Sequence, residues 1–460
     1  MEAMYKMRLE FQEIPPLMAI GFIEGQDYRI LKICGDEITF ESDEQIEDVD
    51  VLEVSIFNLT RSEYQAFRFT DCELLQLKQR EFSCTYTLKV DIGQHEDFPY
   101  YSGILRQLAE FPQTASGPVQ SRLGSLDFLR NTQMYDYEKD SDFHESYELQ
   151  LAEWFGPASR TTIESGRHSL DDYELALAIN NTRLYKQVAQ YGYKALIQSE
   201  LERLGLDKHW LVSQPLTRVY IGNDYCPHLC PDEEILCVLL AEALSAELDV
   251  TIVLPSLTEA QLEPVQRLLD NLNEWCSSAG KTVEVTVNDW SLFLLLEPYR
   301  QTITPVLGKL LNKIKKDPRT QLMFGYERHK EKMQENNVSA PHYSAFLNKW
   351  GITRFEFEAH GTSNRIPEGT HSLHFPYYQI NTSAFCPLYA ECVHFNIYKQ
   401  KLVEHCPQFC GELCKLYPKH VNMIGRGNSV FGFDGTLLTE PDVLDQYVAN
   451  GIDRLVFSVE

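Results

Sequence analysis

Five cysteines crowd one stretch of 30 residues, FCPLYAECVHFNIYKQKLVEHCPQFCGELC: Cys386, Cys392, Cys406, Cys410 and Cys414. Two more, Cys226 and Cys230, follow an apolar segment in NDYCPHLCP. Thiolates are soft ligands that suit zinc or an iron–sulfur cluster, and either commonly takes four of them. No Cys-x2-Cys knuckle of the structural zinc type occurs. The close pairs Cys226/Cys230, Cys406/Cys410 and Cys410/Cys414 are each four residues apart, a spacing that leans toward iron–sulfur and leaves zinc as the alternative. Free cysteine is also a good buried apolar residue, but the crowding argues against that for this group. Cys34, Cys72, Cys84, Cys237 and Cys276 stand singly inside strand or helix patterns and read as core.

A second constellation is the segment FEFEAH. Side chains alternate in a strand, so Glu356, Glu358 and His360 share one face and Phe355 and Phe357 the other. Turned inward, that polar face offers two carboxylates and an imidazole for acid–base work or cation binding; turned outward, it is merely solvated. Asn288 and Asp289 end another apolar segment and either orient a substrate or cap the helix beginning at Trp290. His371 and His374, three apart, cannot share a strand face. No G-x-S-x-G elbow, H-E-x-x-H helix or P-loop is present, and GRGNSVFGFDG lacks the context of a dinucleotide fingerprint.

The elements that must position these groups fall into three parts. Residues 1–111 read as a small antiparallel β-barrel or sandwich of five or six strands, from RILKIC, EITFES, DVLEVSIFNL, EYQAFRF and FSCTYTLKVDI, followed by a helical piece, YSGILRQLAEF. Residues 112–214 read as a linker and helical connector, with an unpatterned stretch to Ser169 and then two helices broken near Asn180 and Asn181. From residue 215 to 460 strand and helix alternate: TRVYIGND, PDEEILCVLLAEALSAE, DVTIVLP, EAQLEPVQRLLDNLNEWCSSAG, TVEVTVND. This is the pattern of a parallel sheet, and the further strands at PVLGKLL, ITRFEFEAH, SLHFPYYQI and DRLVFSV favour closure into a (β/α) TIM-like barrel. In such a barrel, functional groups sit at the C-terminal strand ends, which picks out Asn223, Asp224, Asn288, Asp289, Glu356, Glu358 and His360.

Bulk composition bounds the partners. A net charge of -26 repels polyanions and disfavours nucleic acid. Lys309, Lys313, Lys315, Lys316 and Arg319 form the best local basic run, which reads as a solvated helix face. The N-terminus lacks a secretory pattern, and no stretch approaches the roughly 18 uncharged apolar residues of a membrane span. The expectation is a soluble cytoplasmic protein whose thiols stay reduced.

The C-terminal part resembles peptidase family U32, the collagenase-like group that also holds iron–sulfur proteins of anaerobic ubiquinone and RNA hydroxylation. The matching text is VYIGNDYC, VEVTVNDWSLFLLL, LGKLLNK, RFEFEAH and the late cysteines, over about Thr217 to Glu460. The resemblance implies a 4Fe-4S cluster with Cys226 as its first ligand and Cys406 and Cys410 as the last two. The remaining ligand falls on Cys392 by spacing or on Cys386 by its context, SAFC. Cys230 and Cys414 are extra, and the arginine usual beside the late cysteines is missing, a departure from the family's pattern that bears on its activity. The N-terminal β domain is weakly similar to PilZ-like domains, yet KICGDEITFES carries neither the arginine pair nor the serine motif that binds cyclic di-GMP. It reads as a degenerate module for a protein partner, with no cyclic di-GMP.

The leading expectation is therefore a U32-like iron–sulfur barrel acting as a hydroxylation or radical-type oxidoreductase on a small molecule or protein. The alternatives are a U32-type peptidase, for which no nucleophile is evident, and a non-catalytic scaffold stabilised by its metal.

Overall fold

Alternation over EITFES puts Ile38, Phe40 and Ser42 on one face of a strand, and these three are buried while their neighbours are half-exposed. The computed structural model describes residues 19–34, 36–43, 45–46, 49–58, 63–79, 83–91, 133–136, 141–159, 173–318, 334–362, 364–394, 399, 401–417 and 422–459. The chain divides into two compact units, whose described parts are residues 19–91 and 133–459.

The first unit is one antiparallel sheet of seven strands: β1 (Ala19–Ile23), β2 (Gln26–Cys34), β3 (Glu37–Ser42), β4 (Val51–Asn58), β5 (Glu63–Thr70), β6 (Glu73–Gln79) and β7 (Cys84–Lys89), ordered β5-β4-β1-β2-β3-β7-β6. Ile33, Ile38, Phe40, Leu52 and Tyr86 are among the residues of its core. The count exceeds the expected five or six because β1 is buried throughout and β6 exposed throughout. Neither shows the alternation by which a strand is recognised. The helical piece expected at residues 101–111 lies outside the described residues.

The second unit opens with β8 (Gln133–Asp136) and helix α1 (Ser141–Ser159), inside the stretch expected to be a linker. The next correction is larger. ELALAI forms β9 (Glu174–Ile179), a strand of the barrel rather than part of a connecting helix, so the barrel begins before residue 215. Six apolar-rich residues buried on both faces carry no period that separates strand from helix. Asn180 ends this strand and Asn181 caps α2 (Thr182–Arg203), accepting a hydrogen bond from the Leu184 amide. The break between helices lies instead at Gly192, whose φ of 78° suits glycine.

β10 (Leu216–Gly222), α3 (Glu233–Ser245), β11 (Asp249–Val253), α4 (Glu259–Ala279), β12 (Val283–Val287), α5 (Trp290–Leu296) and β13 (Ile303–Leu307) follow the expected alternation. Then come α6 (Pro341–Lys349), β14 (Glu356–Glu358) and β15 (His371–Phe375). All neighbours in the order β13-β12-β11-β10-β9-β20-β15-β14 are parallel, where β20 is Ile452–Ser458. A parallel bridge between Leu307 and Phe355 joins the two ends, giving a nearly closed eight-stranded barrel. Its outer strand faces pack on helices through residues such as Leu177, Val219, Ile252, Phe355 and Phe357.

Between β15 and β20 the chain builds a second sheet from β16 (Tyr377–Thr382), helix α7 (Pro387–His394), β17 (Leu413–Leu416), β18 (Met423–Arg426) and β19 (Ser429–Phe433), in the order β16-β19-β18-β17-β8. This insertion carries the five late cysteines. No described helix is long and apolar enough to cross a membrane.

Candidate functional site

Strand alternation turns Glu356 and Glu358 into the barrel, as the phenylalanines pack outward, and both carboxylates are buried. A hydrogen-bonded chain fills the lumen. At its floor Arg454 donates to both oxygens of Glu284 at 2.6 and 3.1 Å and to the Tyr220 hydroxyl at 3.0 Å. Tyr220 donates to Glu356 Oε1 at 3.0 Å, and His374 Nε2 meets Glu356 Oε2 at 2.6 Å. His374 Nδ1 faces Lys309 Nζ at 3.5 Å, and Lys309 pairs with Asp224 at 2.8 Å. Burial opposes ionisation of Glu356, yet His374, Arg454 and Arg354 outweigh it and hold its pKa at about 2. Glu358 is likewise lowered against burial, by Lys316 and Lys309 and by the Gln379 amide, which donates at 2.7 Å.

Both lysines come from the run expected to be a solvated helix face. Residues 308–317 form no helix; the loop after β13 turns Lys309 and Lys316 into the barrel mouth, where carboxylates on other strands hold them. This pairing cannot be read locally, because each partner is distant in the chain.

The pair Asn288 and Asp289 divides its roles. Asp289 caps α5 by accepting from the Ser291 amide at 2.8 Å. Asn288 points inward, donating to Asp224 Oδ1 and the Leu254 carbonyl at 2.9 Å each and accepting from the Leu310 amide at 3.0 Å. A Cβ on Gly308 would collide with the Asn288 amide, so glycine is required there. His360 lies past the end of β14, with Asn364 on Nε2 and Thr362 on Nδ1, and burial lowers its pKa. His371 and His374 do face opposite sides: His371 stacks on Phe355 outside the lumen.

The lumen cavity beside Tyr220, Asp224, Lys309 and His374 is about 20 Å³, room for about one water. Glu356 is thus a sealed, fully engaged carboxylate. Asp224, Tyr225 and Lys309 are among the polar groups that line the cavity.

The cysteines gather above that mouth. Burial pushes the Cys226 thiol up to about 12, with contributions from Cys406, Cys230 and Cys386. Burial likewise pushes Cys410 up to about 12, and Cys226, Cys386 and Cys406 add to it. Cys386 is raised by burial, with Cys406 and Cys392 also acting on it. Cys226, Cys386, Cys406 and Cys410, from three separate segments, are therefore within electrostatic range of one another. Two of the sulfurs accept amide hydrogen bonds at 3.4 Å, Cys386 from Tyr389 and Cys406 from Gln408. Gln408 ties the cysteine loop down: its amide group donates to the His228 carbonyl and accepts from the Thr182 hydroxyl, each at 2.7 Å.

The other candidates are joined to this group less closely, Cys230 acting only on Cys226 and Cys392 only on Cys386 among the four. Cys414 is buried within β17 in the main hydrophobic core, and Arg426 is the charge that acts on it. Strand alternation turns it inward, into that core. Cys392 is raised by burial and Glu391 and faces Lys415. The Cys230 sulfur lies 3.9–4.0 Å from the backbone carbonyls of Asn223, Cys226 and Val253, any one of which can accept its single S–H. Arg426, on β18, acts on Cys410 as well as Cys414. Among the described residues no three His, Cys, Asp or Glu side chains are arranged to hold a metal ion.

No family model and no curated protein matches this chain.

Proposed function

We propose that the second unit carries a 4Fe-4S cluster on Cys226, Cys386, Cys406 and Cys410, in an oxidoreductase of hydroxylation or radical type acting on a small molecule or protein. The observation that supports the reading is the mutual influence of those four thiols, brought from three segments to the mouth of one barrel. Donor type and number fit a cluster. The side chains are not in ligating array, and burial keeps Cys226 and Cys410 protonated as they stand. Ligation requires deprotonation, so metal binding would release protons and draw the sulfurs together. Amide donors on Cys386 and Cys406 would tune the bound sulfurs, as hydrogen bonds do in such centres.

The cluster would supply one-electron chemistry. The chain's own residues supply the setting: Gln408 positions the cysteine loop, Asn288 and Lys309 hold Asp224 at the mouth, and the lumen beneath leaves room for about one water. The resemblance to peptidase family U32 points to the same barrel end. The first unit is read as an interaction module for a protein partner, supported by the exposed leucines Leu74, Leu75 and Leu77 along β6.

Anaerobic purification with iron and labile-sulfide analysis tests the reading. We expect about four irons per chain, lost in Cys410→Ser and kept in Cys414→Ser. A colourless protein holding stoichiometric zinc overturns it.

A further inference from the structure

β6 ends the sheet of the first unit, and every residue along it is exposed. Its hydrogen bonds go to β7, and among the described residues nothing pairs with its other side. An open edge is a row of backbone donors and acceptors ready for another strand, a hazard that proteins ordinarily blunt.

The register on β7 fixes which side chains another strand would meet. Leu74 stands opposite Leu88 and Gln76 opposite Thr87, so Leu75 is an extra residue, a β-bulge. The bulge shifts the alternation by one residue. Leu74 and Leu77 therefore lie on one face, opposite Leu88 and Tyr86, which belong to the buried core of the sheet. Glu73 and Lys78 lie on the other face, opposite Lys89 and Thr85. Without the bulge, each of these pairs would be split between the two faces. The leucines thus carry the apolar face past its last strand, yet Leu74 is 52% exposed and Leu77 39%.

We propose that β6 pairs antiparallel with β6 of a second copy of this chain, about a two-fold axis perpendicular to the sheet. Such an axis keeps every residue on its own face, so only residues that share a face can stand opposite each other. The bulge permits one register in which Glu73 meets the partner's Lys78 and Leu74 meets the partner's Leu77, and the symmetry repeats both contacts. Two ion pairs and two leucine pairs result, with no like charges opposed. β6 carries one acid and one base, so this register uses both. Opposite-charge and apolar cross-strand pairs are each favourable, and a self-complementary patch about a two-fold is the commonest form of association. The contact is one strand long and belongs with small, transient interfaces. The net charge of -26 on each copy opposes it, but in about 0.15 M salt that repulsion is screened within about 8 Å. The proposal rests on the reading of the first unit as an interaction module, whose partner it names, and is independent of the cluster.

The test is sedimentation of the full chain across the micromolar range, with backbone amide exchange of β6 followed on the same samples. A monomer–dimer equilibrium is expected, and the edge-facing amides of β6 should exchange more slowly as concentration rises. Glu73→Lys sets lysine against lysine at both ends of the pair and should weaken the dimer about tenfold. Adding Lys78→Glu to it restores both ion pairs in reversed order and should recover the parent's affinity. These side chains are exposed, so the melting temperature should hold in both variants. A dimer indifferent to Glu73→Lys, or one that the double variant fails to recover, overturns the proposal. A chain that stays monomeric with fast exchange along β6 overturns self-pairing alone. Slow exchange of the edge-facing amides in the dilute monomer means that the chain itself covers this edge, and overturns the reading as an interaction module as well.

Discussion

Lys309 and Asp224 form an ion pair at 2.8 Å across the barrel mouth, with each side chain only 9% exposed. Their elements lie at opposite ends of one run of strands, Asp224 just after β10 and Lys309 just after β13. Asn288 holds the other oxygen of Asp224. Removing the lysine leaves a buried carboxylate uncompensated, so Lys309→Met should destabilise the barrel by about 3–5 kcal/mol. The double variant with Asp224→Asn should recover much of that loss. All five tryptophans lie beyond residue 150, so urea unfolding followed by tryptophan fluorescence reports on this unit. A loss under about 1 kcal/mol, the range of exposed pairs, would refute the buried-pair account.

Glu356 gives an acid-side dependence. Its folded pKa, about 2, lies below the unfolded value of about 4.3. The stability it contributes is full above the unfolded value and drains away as pH falls toward 2. Glu356→Gln should be less stable at pH 7 and flatter below pH 4, by up to about 1.4 kcal/mol per pH unit. Parallel stability curves for variant and parent between pH 4 and 2 would contradict it.

His371 acts in a different window. Its Nδ1 accepts from the Phe355 amide at 3.2 Å and its Nε2 faces the Pro367 carbonyl at 3.2 Å, so a second ring proton would confront an N–H. Burial lowers its pKa to about 4, and the Arg354 charge adds to this. Stability should therefore fall as pH drops from about 6.5 to about 4 and be insensitive to this group below that. His371→Asn keeps an acceptor near Nδ1 and should reduce the slope over that interval. Titrating unfolding midpoints of both proteins checks it.

Gln408 sits at φ 60°, a left-handed conformation that costs a non-glycine residue energy. Its two side-chain hydrogen bonds hold it there. Gln408→Gly relieves the backbone and removes both bonds; if the bonds position the thiols, the glycine variant should be folded yet bind iron more weakly and react faster with thiol reagents. Unchanged metal content and thiol reactivity would show the loop to be held by other contacts.

Much of this was legible along the chain. Alternating and continuous apolar runs marked the antiparallel unit and the barrel's later strands, the FEFEAH pattern put the carboxylates and the phenylalanines on opposite faces, and cysteine crowding marked one region. Local periodicity fails where burial is uniform, as in β9, or absent, as in β6. It also cannot assign partners: Asp289 and Asn288 look alike in sequence, yet one caps a helix and the other binds inside the mouth. Sequence alone determined residue type and the face each takes on its own element, because those follow from bond geometry within a few residues. Only the tertiary structure decided that Lys309 and Lys316 turn inward, that Cys414 is core and that Arg426 reaches Cys410. Such meetings depend on the near closure of an eight-stranded sheet and on an insertion folding back over its mouth, and neither leaves a local period.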